Sequence, residues 1–225
     1  MLFVFFIHNN TNAQLHADFS ASVTEGCSPL VVRFTDLSTG NPTSWRWDLG
    51  NGTISTLQHP TASYFNPGTY SVKLVVRNGA NADSVVRQQL ITIFPKPVAS
   101  FTGTGTAGCF PHTVQFTDAS LHVSGTLSNW LWDFGDGTTS TQQNPSHTYT
   151  IAGNFTVTLR VTNSHGCTEV FSIPSYVSIT QGVKADFTNT TAQTCEANPT
   201  IQFTNTSTGP GNLSFEWQFG DGGVS

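Results

Sequence analysis

The chain has 225 residues and a formal net charge of −5, and only 9% of its side chains are charged, against about 25% in ordinary soluble domains. Its basic residues are scattered singly along the sequence. They form no positive stripe that could neutralise phosphates, which argues against binding to nucleic acid or to an anionic membrane surface. Ser, Thr and Asn carry the polarity instead, and no segment has the apolar spacing of an amphipathic helix. Composition alone therefore favours an all-β fold.

The first fourteen residues, MLFVFFIHNNTNAQ, combine an apolar run from Leu2 to Ile7 with polar residues and a small Ala13. This pattern is typical of the end of a secretory signal peptide cleaved near Ala13, although it lacks a basic start and its apolar core is short. An ordinary buried strand is the alternative. No other segment has the stretch of about 20 apolar residues that spans a bilayer. We therefore expect residues 1–14 to be the remnant of a signal peptide, and the mature chain to be secreted or displayed on a cell surface.

One unit then recurs three times along the chain. ADFSASVTEGC from Ala17 returns as ASFTGTGTAGC from Ala99 and as ADFTNTTAQTC from Ala185. WRWDLGNG, WLWDFGDG and FEWQFGDG follow, each spaced 85 residues from the next. GTYSVKLVVRN in the first unit matches GNFTVTLRVTN in the second, while the third has no counterpart before the sequence ends. We expect repeat one at 15–97, repeat two at 98–182 and a truncated repeat three at 183–225.

Each repeat has the pattern of short strands separated by turns. Apolar and polar residues alternate in YSVKLVV of repeat one and FTVTLRV of repeat two, which is the period of a strand with one buried face. Several such strands within about 85 residues, with turn residues between them, predict an immunoglobulin-like antiparallel β-sandwich. The fold class is therefore all-β, as a tandem array of sandwiches.

The turn that follows the Trp strand carries paired acids in repeat two, Asp133 and Asp136. Two carboxylates can cleave a glycosidic bond or hold Ca²⁺, but the pair is not repeated. Repeat one has an Asn in the second position, and repeat three has Gln218 in the first. What recurs is a pair of glycines, which permit the positive φ of a tight hairpin. We interpret the motif as a structural turn, with calcium at Asp133 and Asp136 as the weaker alternative.

The aromatic residues around this turn divide into two sets. The second Trp of each motif is expected to anchor the core, and the later Tyr to fix the corner that leads to the next strand. Trp45 and Trp130 lie two residues earlier, nearer the end of the sandwich. They are candidate glycan platforms, although packing at the rim of the core is the simpler interpretation. The predicted structural motif comprises Trp47, Asp48, Gly50, Gly52, Tyr64, Trp132, Asp133, Gly135, Asp136, Gly137, Tyr149, Trp217, Gly220, Asp221 and Gly222.

Cys27, Cys109 and Cys195 occupy the same place in the three repeats, whereas Cys167 follows the long strand of repeat two and has an Ala as its counterpart in repeat one. We predict a disulfide between Cys109 and Cys167 within repeat two. Cys27 would then be free or paired elsewhere, and the partner of Cys195 would lie past the end of the sequence. The cysteines are too dispersed to signal a zinc site.

The motif as a whole resembles the PKD domain. WDFGDG, then NPSHTY, then GNFTVTLRVTN in repeat two carry the resemblance. It extends over nearly all of the mature chain and implies immunoglobulin-like sandwiches of about 80 to 90 residues. Similar arrays occur in large surface and secreted proteins of bacteria, including adhesins and motility proteins of the Bacteroidetes type. They also occur as accessory domains of secreted proteases and polysaccharide-degrading enzymes.

The expected function is therefore non-catalytic. The resemblance implies an extracellular spacer or adhesion scaffold that contacts proteins or glycans at a bacterial surface. The alternative is the accessory region of a secreted enzyme whose catalytic domain lies outside this sequence. The sequence has no nucleophile elbow, P-loop, dinucleotide fingerprint or zinc-protease motif, so we predict neither catalytic residues nor a cofactor.

Overall fold

The computed structural model describes residues 14–190, 201–220 and 222–223. These residues form eighteen β-strands, and no helix occurs among them. The expected signal-peptide remnant lies outside the described residues, apart from Gln14. Within the described part of the chain, no helix has the length and apolar character needed to cross a membrane.

Repeat one contains eight strands in two sheets. One sheet has the order β1-β3-β6, and the other has the order β2-β8-β7-β4-β5. All described pairs are antiparallel except the edge pair of β2 with β8, in which Glu25 lies opposite Thr92. The strands are β1 Phe19–Ala21, β2 Glu25–Cys27, β3 Leu30–Asp36, β4 Ser44–Asp48, β5 Ile54–Ser55, β6 Thr61–Tyr64, β7 Gly68–Asn78 and β8 Asn81–Phe94.

Repeat two has the same topology. Its sheets have the orders β14-β11-β9 and β10-β16-β15-β12-β13, and its first short edge strand, β10, pairs in parallel with β16. The strands are β9 Phe101–Thr104, β10 Ala107–Cys109, β11 His112–Asp118, β12 Leu127–Asp133, β13 Thr139–Ser140, β14 Ser146–Tyr149, β15 Gly153–Asn163 and β16 Thr168–Thr180. The predicted all-β tandem sandwich fold is confirmed, with one parallel edge pair added to each sandwich.

Repeat three has one antiparallel pair among its described residues, formed by β17 (Phe187–Asn189) and β18 (Phe203–Asn205). Phe187 lies opposite Asn205, as Phe19 lies opposite Asp36 in repeat one. The start of the repeat thus follows the pattern of the first sheet in the preceding sandwiches.

The core of repeat one lies between its two sheets, because alternate side chains of each strand point inward. In β7 every second residue from Val72 to Val76 is fully buried. The buried cluster comprises Ala17, Phe19, Val32, Phe34, Trp47, Leu49, Ala62, Tyr64, Val72, Leu74, Val76, Ile91 and Ile93. The aromatic side chains dominate it, with the Phe19 ring edge-on to Trp47 at a centroid distance of 5.1 Å.

By its internal contacts the chain separates into two compact units. Unit 1 comprises the described residues up to Ala99, together with Ser120–Asn129 and Arg160–Glu169. Unit 2 comprises Ser100–Ala119, Trp130–Leu159 and the described residues from Val170 onward. The turn between β15 and β16 therefore belongs to the compact unit that contains repeat one.

Candidate functional site

The repeated hairpin and corner form the candidate site, and their geometry begins with the turn glycines. Gly50 and Gly135 have φ values of 77° and 81°, in the left-handed region that disfavours any residue with a Cβ. A Cβ on Gly50 would lie 2.3 Å from the backbone oxygen of Ser71, and one on Gly135 would lie 2.4 Å from that of Thr156. The first glycine of the motif is therefore required both by its conformation and by the close approach of the next long strand.

The second glycine of each motif has a different environment. Gly52, Gly137 and Gly222 have φ values of 86°, 90° and 92°, but a Cβ at these positions would meet no atom within 4 Å. Only the backbone conformation calls for glycine there. Gly220, the first glycine of repeat three, has a φ of 79° and likewise meets no neighbour, because no described strand packs against this turn.

The motif acids hold the turn itself. Asp48 Oδ1 accepts the N–H of Gly50 at 3.0 Å, and Asp133 Oδ1 accepts that of Gly135 at 2.9 Å. The same hydrogen bond, from the glycine N–H to the Asp two residues earlier, thus occurs in both repeats. Asp stabilises tight turns in this way. Asp221, the acid of the third motif, lies outside the described residues.

Asp136 makes a second set of contacts that joins the turn to β14. Its Oδ1 accepts the backbone N–H of Thr138 at 3.0 Å, and its Oδ2 lies 2.7 Å from His147 Nε2. The His147 ring stacks on Phe134 at 4.2 Å with an interplanar angle of 1°. Burial raises the pKa of Asp136, but the hydrogen bonds from Thr138 and His147 outweigh it and lower the pKa below the usual value.

Repeat one makes the corresponding link with different chemistry. Asn51 Oδ1 accepts the N–H of Thr53 at 3.0 Å, and Asn51 Nδ2 donates to the backbone oxygen of Ser63 on β6 at 3.0 Å. An amide can serve both as acceptor and as donor, so the contact between turn and strand persists without the His. The carboxylate of Asp136 is therefore one of two solutions to the same structural requirement.

The second Trp and the Tyr of the motif lie in the core. Trp47 Nε1 donates to the oxygen of Leu57 and Trp132 Nε1 to that of Gln142, each at 2.9 Å. Tyr64 and Tyr149 donate their hydroxyl groups to the backbone oxygens of Leu49 and Phe134, at 2.7 and 3.0 Å. All four side chains are fully buried. Burial raises the pKa of Tyr64 to about 12 and also raises that of Tyr149.

Trp45 and Trp130, the glycan-platform candidates, are half-buried. Each indole N–H is already bonded to a carboxylate: Trp45 donates to Asp36 Oδ2 and Trp130 donates to Asp118 Oδ2, both at 2.7 Å. A glutamine donates to the same oxygen in each case, Gln58 at 3.1 Å and Gln143 at 3.2 Å. A ligand could therefore use only the ring face of these residues.

This Trp–Asp–Gln arrangement was not predicted. The sequence contains a signal for it. FTD at the end of β3 and β11, and a Gln shortly before the HP or NP dipeptide, recur in repeats one and two. In repeat one Asp36 precedes Trp45 by 9 positions and Gln58 by 22, and only the folded sandwich brings the three side chains together. Burial raises the pKa of Asp36, but hydrogen bonds from Ser38, Gln58 and Trp45 lower it overall.

The predicted disulfide is wrong. Cys27 and Cys167 are bonded, with a Cα–Cα distance of 5.4 Å, and Cys109 is an exposed free thiol. Cys109 lies opposite Thr180 at the last residue of β16, whereas Cys167 directly precedes the first. A strand of 13 residues is about 40 Å long, so its two ends cannot share one disulfide.

The disulfide lies within unit 1 and ties repeat one to the turn that follows β15. Around it, the His165 ring stacks on Phe94 at 3.9 Å, and Lys96 Nζ lies 3.5 Å from Glu169 Oε2. Asn163, which is buried, accepts the N–H of Cys167 at 2.9 Å and donates to the oxygen of Pro95 at 3.3 Å. The end of repeat one is thus held by a covalent bond, a ring stack and hydrogen bonds.

No cluster of three or more His, Cys, Asp or Glu side chains suited to a metal ion occurs in the described portion of the chain. The carboxylates of the two calcium candidates, Asp133 and Asp136, are engaged in the turn bonds given above. Calcium at these residues stays a prediction.

The PKD domain family model matches residues 10–93 and 95–179. Collagenase ColA of Bacillus cereus is 43% identical over 61 residues, covering 27% of this chain and 6% of the collagenase. Pre-pro-metalloprotease PrtV of Vibrio cholerae is 30% identical over 154 residues, covering 66% of this chain and 16% of the protease. The crystal structure of the PKD1 domain of PrtV matches with 35% identity and a TM-score of 0.32, covering 35% of this chain and 91% of that domain.

The chain therefore spans less than a fifth of the length of these two relatives. The matched residues include nearly all of repeats one and two, with the WDLGNG and WDFGDG turns and the long strands that follow them. The repeated hairpin, the buried Trp and Tyr, and two consecutive family matches that cover most of the sequence lead to one conclusion. The chain belongs to the PKD domain family.

Proposed function

We propose that the chain is a non-catalytic part of an exported protein, in which consecutive PKD repeats at 15–97, 98–182 and 183–225 act as a spacer or adhesion scaffold. The repeats would hold other parts of the protein at a distance and offer loop surfaces to proteins or glycans. One observation carries the proposal. The polar side chains of the repeated motif are bonded to the fold itself: Asp48 and Asp133 to turn amides, and the indoles of Trp45 and Trp130 to carboxylates.

Two further features support export. The Cys27–Cys167 disulfide is of a kind that persists in oxidising compartments and is rare in the cytosol. The charge of −5 with few charged groups overall suits a surface built from Ser, Thr and Asn. Localisation outside the cell, secreted or at the surface, is therefore part of the proposal.

The test is for hydrolysis by the full chain. We expect no release of products from casein, gelatin or soluble polysaccharides above that of a blank. The proposal fails if product release rises in proportion to the chain concentration and falls in Asp136→Asn, which removes a carboxylate that lies 2.7 Å from a histidine nitrogen. Glu25→Gln is the matched control, because Glu25 is exposed on an edge strand of repeat one.

A second function is favoured by the relatives, since one is named as a collagenase and the other as a metalloprotease, and the matched segment is a small part of each. In this case the chain would be the accessory region of a secreted enzyme and would bind that enzyme's insoluble substrate. Co-sedimentation with insoluble collagen, chitin and cellulose tests it. Binding to one of these would favour the accessory function, and no binding would favour the spacer.

If the chain binds a polysaccharide, Trp130 decides whether a ring platform is used. Trp130→Phe keeps an aromatic face and removes the N–H bond to Asp118, while Trp130→Ala removes both. Binding that survives Trp130→Phe and is lost in Trp130→Ala, with an unchanged near-UV circular dichroism spectrum, would support stacking of a sugar on this ring.

A further inference from the structure

The outer face of the larger sheet of repeat one carries a cluster of positive charge. Arg46 on β4 lies opposite Val75 on β7. Lys73 and Arg77 lie two positions on either side of Val75. Because alternate residues of a strand share a face, all three cations point away from the core in which Leu74 is buried. Neighbouring strands are about 4.8 Å apart and four positions span about 14 Å, so the three cations form one patch, named here the cationic face.

The cations of this face are not neutralised by the rest of the protein. All three side chains are exposed, and none of them has an ion pair or a hydrogen bond with the described part of the chain. Arg87 of the same repeat, by contrast, pairs with Asp18 at 2.8 Å. Asp48 lies on the cationic face opposite Lys73, but its Oδ1 already accepts a turn amide. Three positive charges thus stand beside one negative charge, and their field attracts an anion.

The sandwich fold does not require these charges. WRWD of repeat one matches WLWD of repeat two, and GTYSVKLVVRN matches GNFTVTLRVTN. By these matches, repeat two has Leu131, Thr158 and Thr162 at the three positions, and Arg160 is a single cation on that face. Since repeat two has the same topology without the cluster, the cations of repeat one are available for a contact outside the fold.

We propose that the cationic face binds an acidic polysaccharide, whose carboxylate or sulfate groups pair with Arg46, Lys73 and Arg77. A guanidinium group can hold an acid group of this kind with two parallel hydrogen bonds, and an ammonium group holds it as a point charge. Ser44 and Ser84 are exposed on the same face and offer hydroxyl groups to those of the sugar. The inference rests on the proposed function, because it names the class of glycan that the scaffold would contact.

Two other anionic partners fit this face less well. Proteins that bind nucleic acid neutralise about 6–10 phosphates, and three cations on a chain with a net charge of −5 are too few. A protein partner buries apolar side chains at the centre of its interface, whereas this part of the sheet presents Val75 and Val86 among hydroxyl and charged groups. A polysaccharide has acid and hydroxyl groups and little apolar surface, so it matches what the face offers.

The experiment titrates the full chain with heparin, a polysaccharide that carries both sulfate and carboxylate groups, and follows binding by calorimetry. Dextran is the uncharged control, and poly-L-glutamate represents an acidic protein segment. We expect saturable binding of heparin that weakens as salt is added, because exposed charges are screened. Dextran should not bind, and poly-L-glutamate should bind more weakly than heparin because it has no sugar hydroxyl groups.

Two triple variants locate the binding. The cluster variant neutralises the cationic face: Arg46→Gln, Lys73→Gln and Arg77→Gln. The matched variant neutralises three exposed cations elsewhere: Arg33→Gln on β3, Arg160→Gln on β15 and Lys184→Gln in repeat three. Both variants change the net charge equally. The cluster variant should bind heparin at least about 10-fold more weakly, and the matched variant should differ from the unaltered chain by less than about 3-fold.

The inference is overturned if heparin shows no saturable binding at about 1 mM, if the two variants lose binding equally, or if poly-L-glutamate binds as well as heparin. The length of the recovered heparin, measured by size-exclusion chromatography, separates this outcome from failure of the proposed function. Intact heparin without binding contradicts only the present inference. Shortened heparin would contradict the non-catalytic function.

Discussion

The two glycines of the repeat-two turn should respond differently to the same substitution. Both have positive φ, so Gly135→Ala and Gly137→Ala each incur the strain of a left-handed alanine, about 1–2 kcal/mol. At Gly135 the new Cβ would also lie 2.4 Å from Thr156 O and 3.0 Å from Thr156 N. These are backbone atoms of β15, held between the buried Phe155 and Val157.

Because the backbone of β15 cannot move without disturbing those side chains, relief of the contact should cost a further 1–3 kcal/mol, roughly that of overpacking a core. We therefore expect Gly135→Ala to lower the free energy of unfolding by about 2–5 kcal/mol, and Gly137→Ala by about 1–2 kcal/mol. Native-state hydrogen exchange of the β11 and β15 amides measures the two values within repeat two. Equal losses for the two variants would refute the argument, since they share the strain and differ only in the contact with Thr156.

Other expectations follow from the same geometry. Replacing Cys27 and Cys167 together by Ser opens a loop with a sequence separation of 140. In the chain-entropy model this should lower the unfolding free energy of unit 1, measured by urea denaturation, by about 5 kcal/mol. Cys109→Ser should have no effect, and equal stability of the oxidised chain and the double variant would contradict the prediction. Cys109 is exposed, so iodoacetamide should modify it in the native, unreduced chain and leave Cys27 and Cys167 unmodified by mass spectrometry; modification of Cys167 under those conditions would disprove the pairing. The pKa of Asp136 is lowered, so its contribution to stability is present above its unfolded pKa, near 3.8, and is lost as the pH falls through the folded value. Asp136→Asn should therefore reduce the loss of unfolding free energy at acid pH, measured by denaturation at a series of pH values. An unchanged loss would show that another group titrates there. The pKa of Tyr64 is raised to about 12, so its contribution to stability is complete below pH 10.0 and is lost as the pH rises towards 12. Tyr64→Phe should lower the free energy of unfolding by about 1 kcal/mol at neutral pH. The stability of this variant should also depend less on pH in alkaline solution.

The fold could be predicted from the sequence because its determinants are local and repeated. Alternation in GTYSVKLVVRN identifies a strand with one buried face, and glycines at fixed offsets identify the hairpin. Each repeat provides an independent reading of the same pattern. The three repeats together also show that the paired acids of repeat two are variable. Asn51 replaces Asp136 in repeat one and makes an equivalent contact.

The disulfide and the Trp–Asp–Gln arrangement could not be predicted in the same way, because they depend on contacts between separate segments of the folded chain and not on the pattern within one strand or turn. Cys109 and Cys167 belong to the same repeat, yet β16 separates them along its whole length. The partner of Cys167 lies 140 residues away. The absence of a counterpart for Cys167 in repeat one was the available signal, because a cysteine added only in the second repeat can serve a bond to the first.

The Cys27–Cys167 bond also determines how the chain would carry a pulling force. A force applied between the two ends reaches Cys27, crosses the two sulfur atoms and continues from Cys167, so the residues between them bear none of it. Even with both sandwiches unfolded, the bond withholds a contour length of about 480 Å, taking about 3.4 Å for each of the 140 positions it spans. In a reducing medium that length becomes available. The same chain would then extend much further before the tension between its two ends rises.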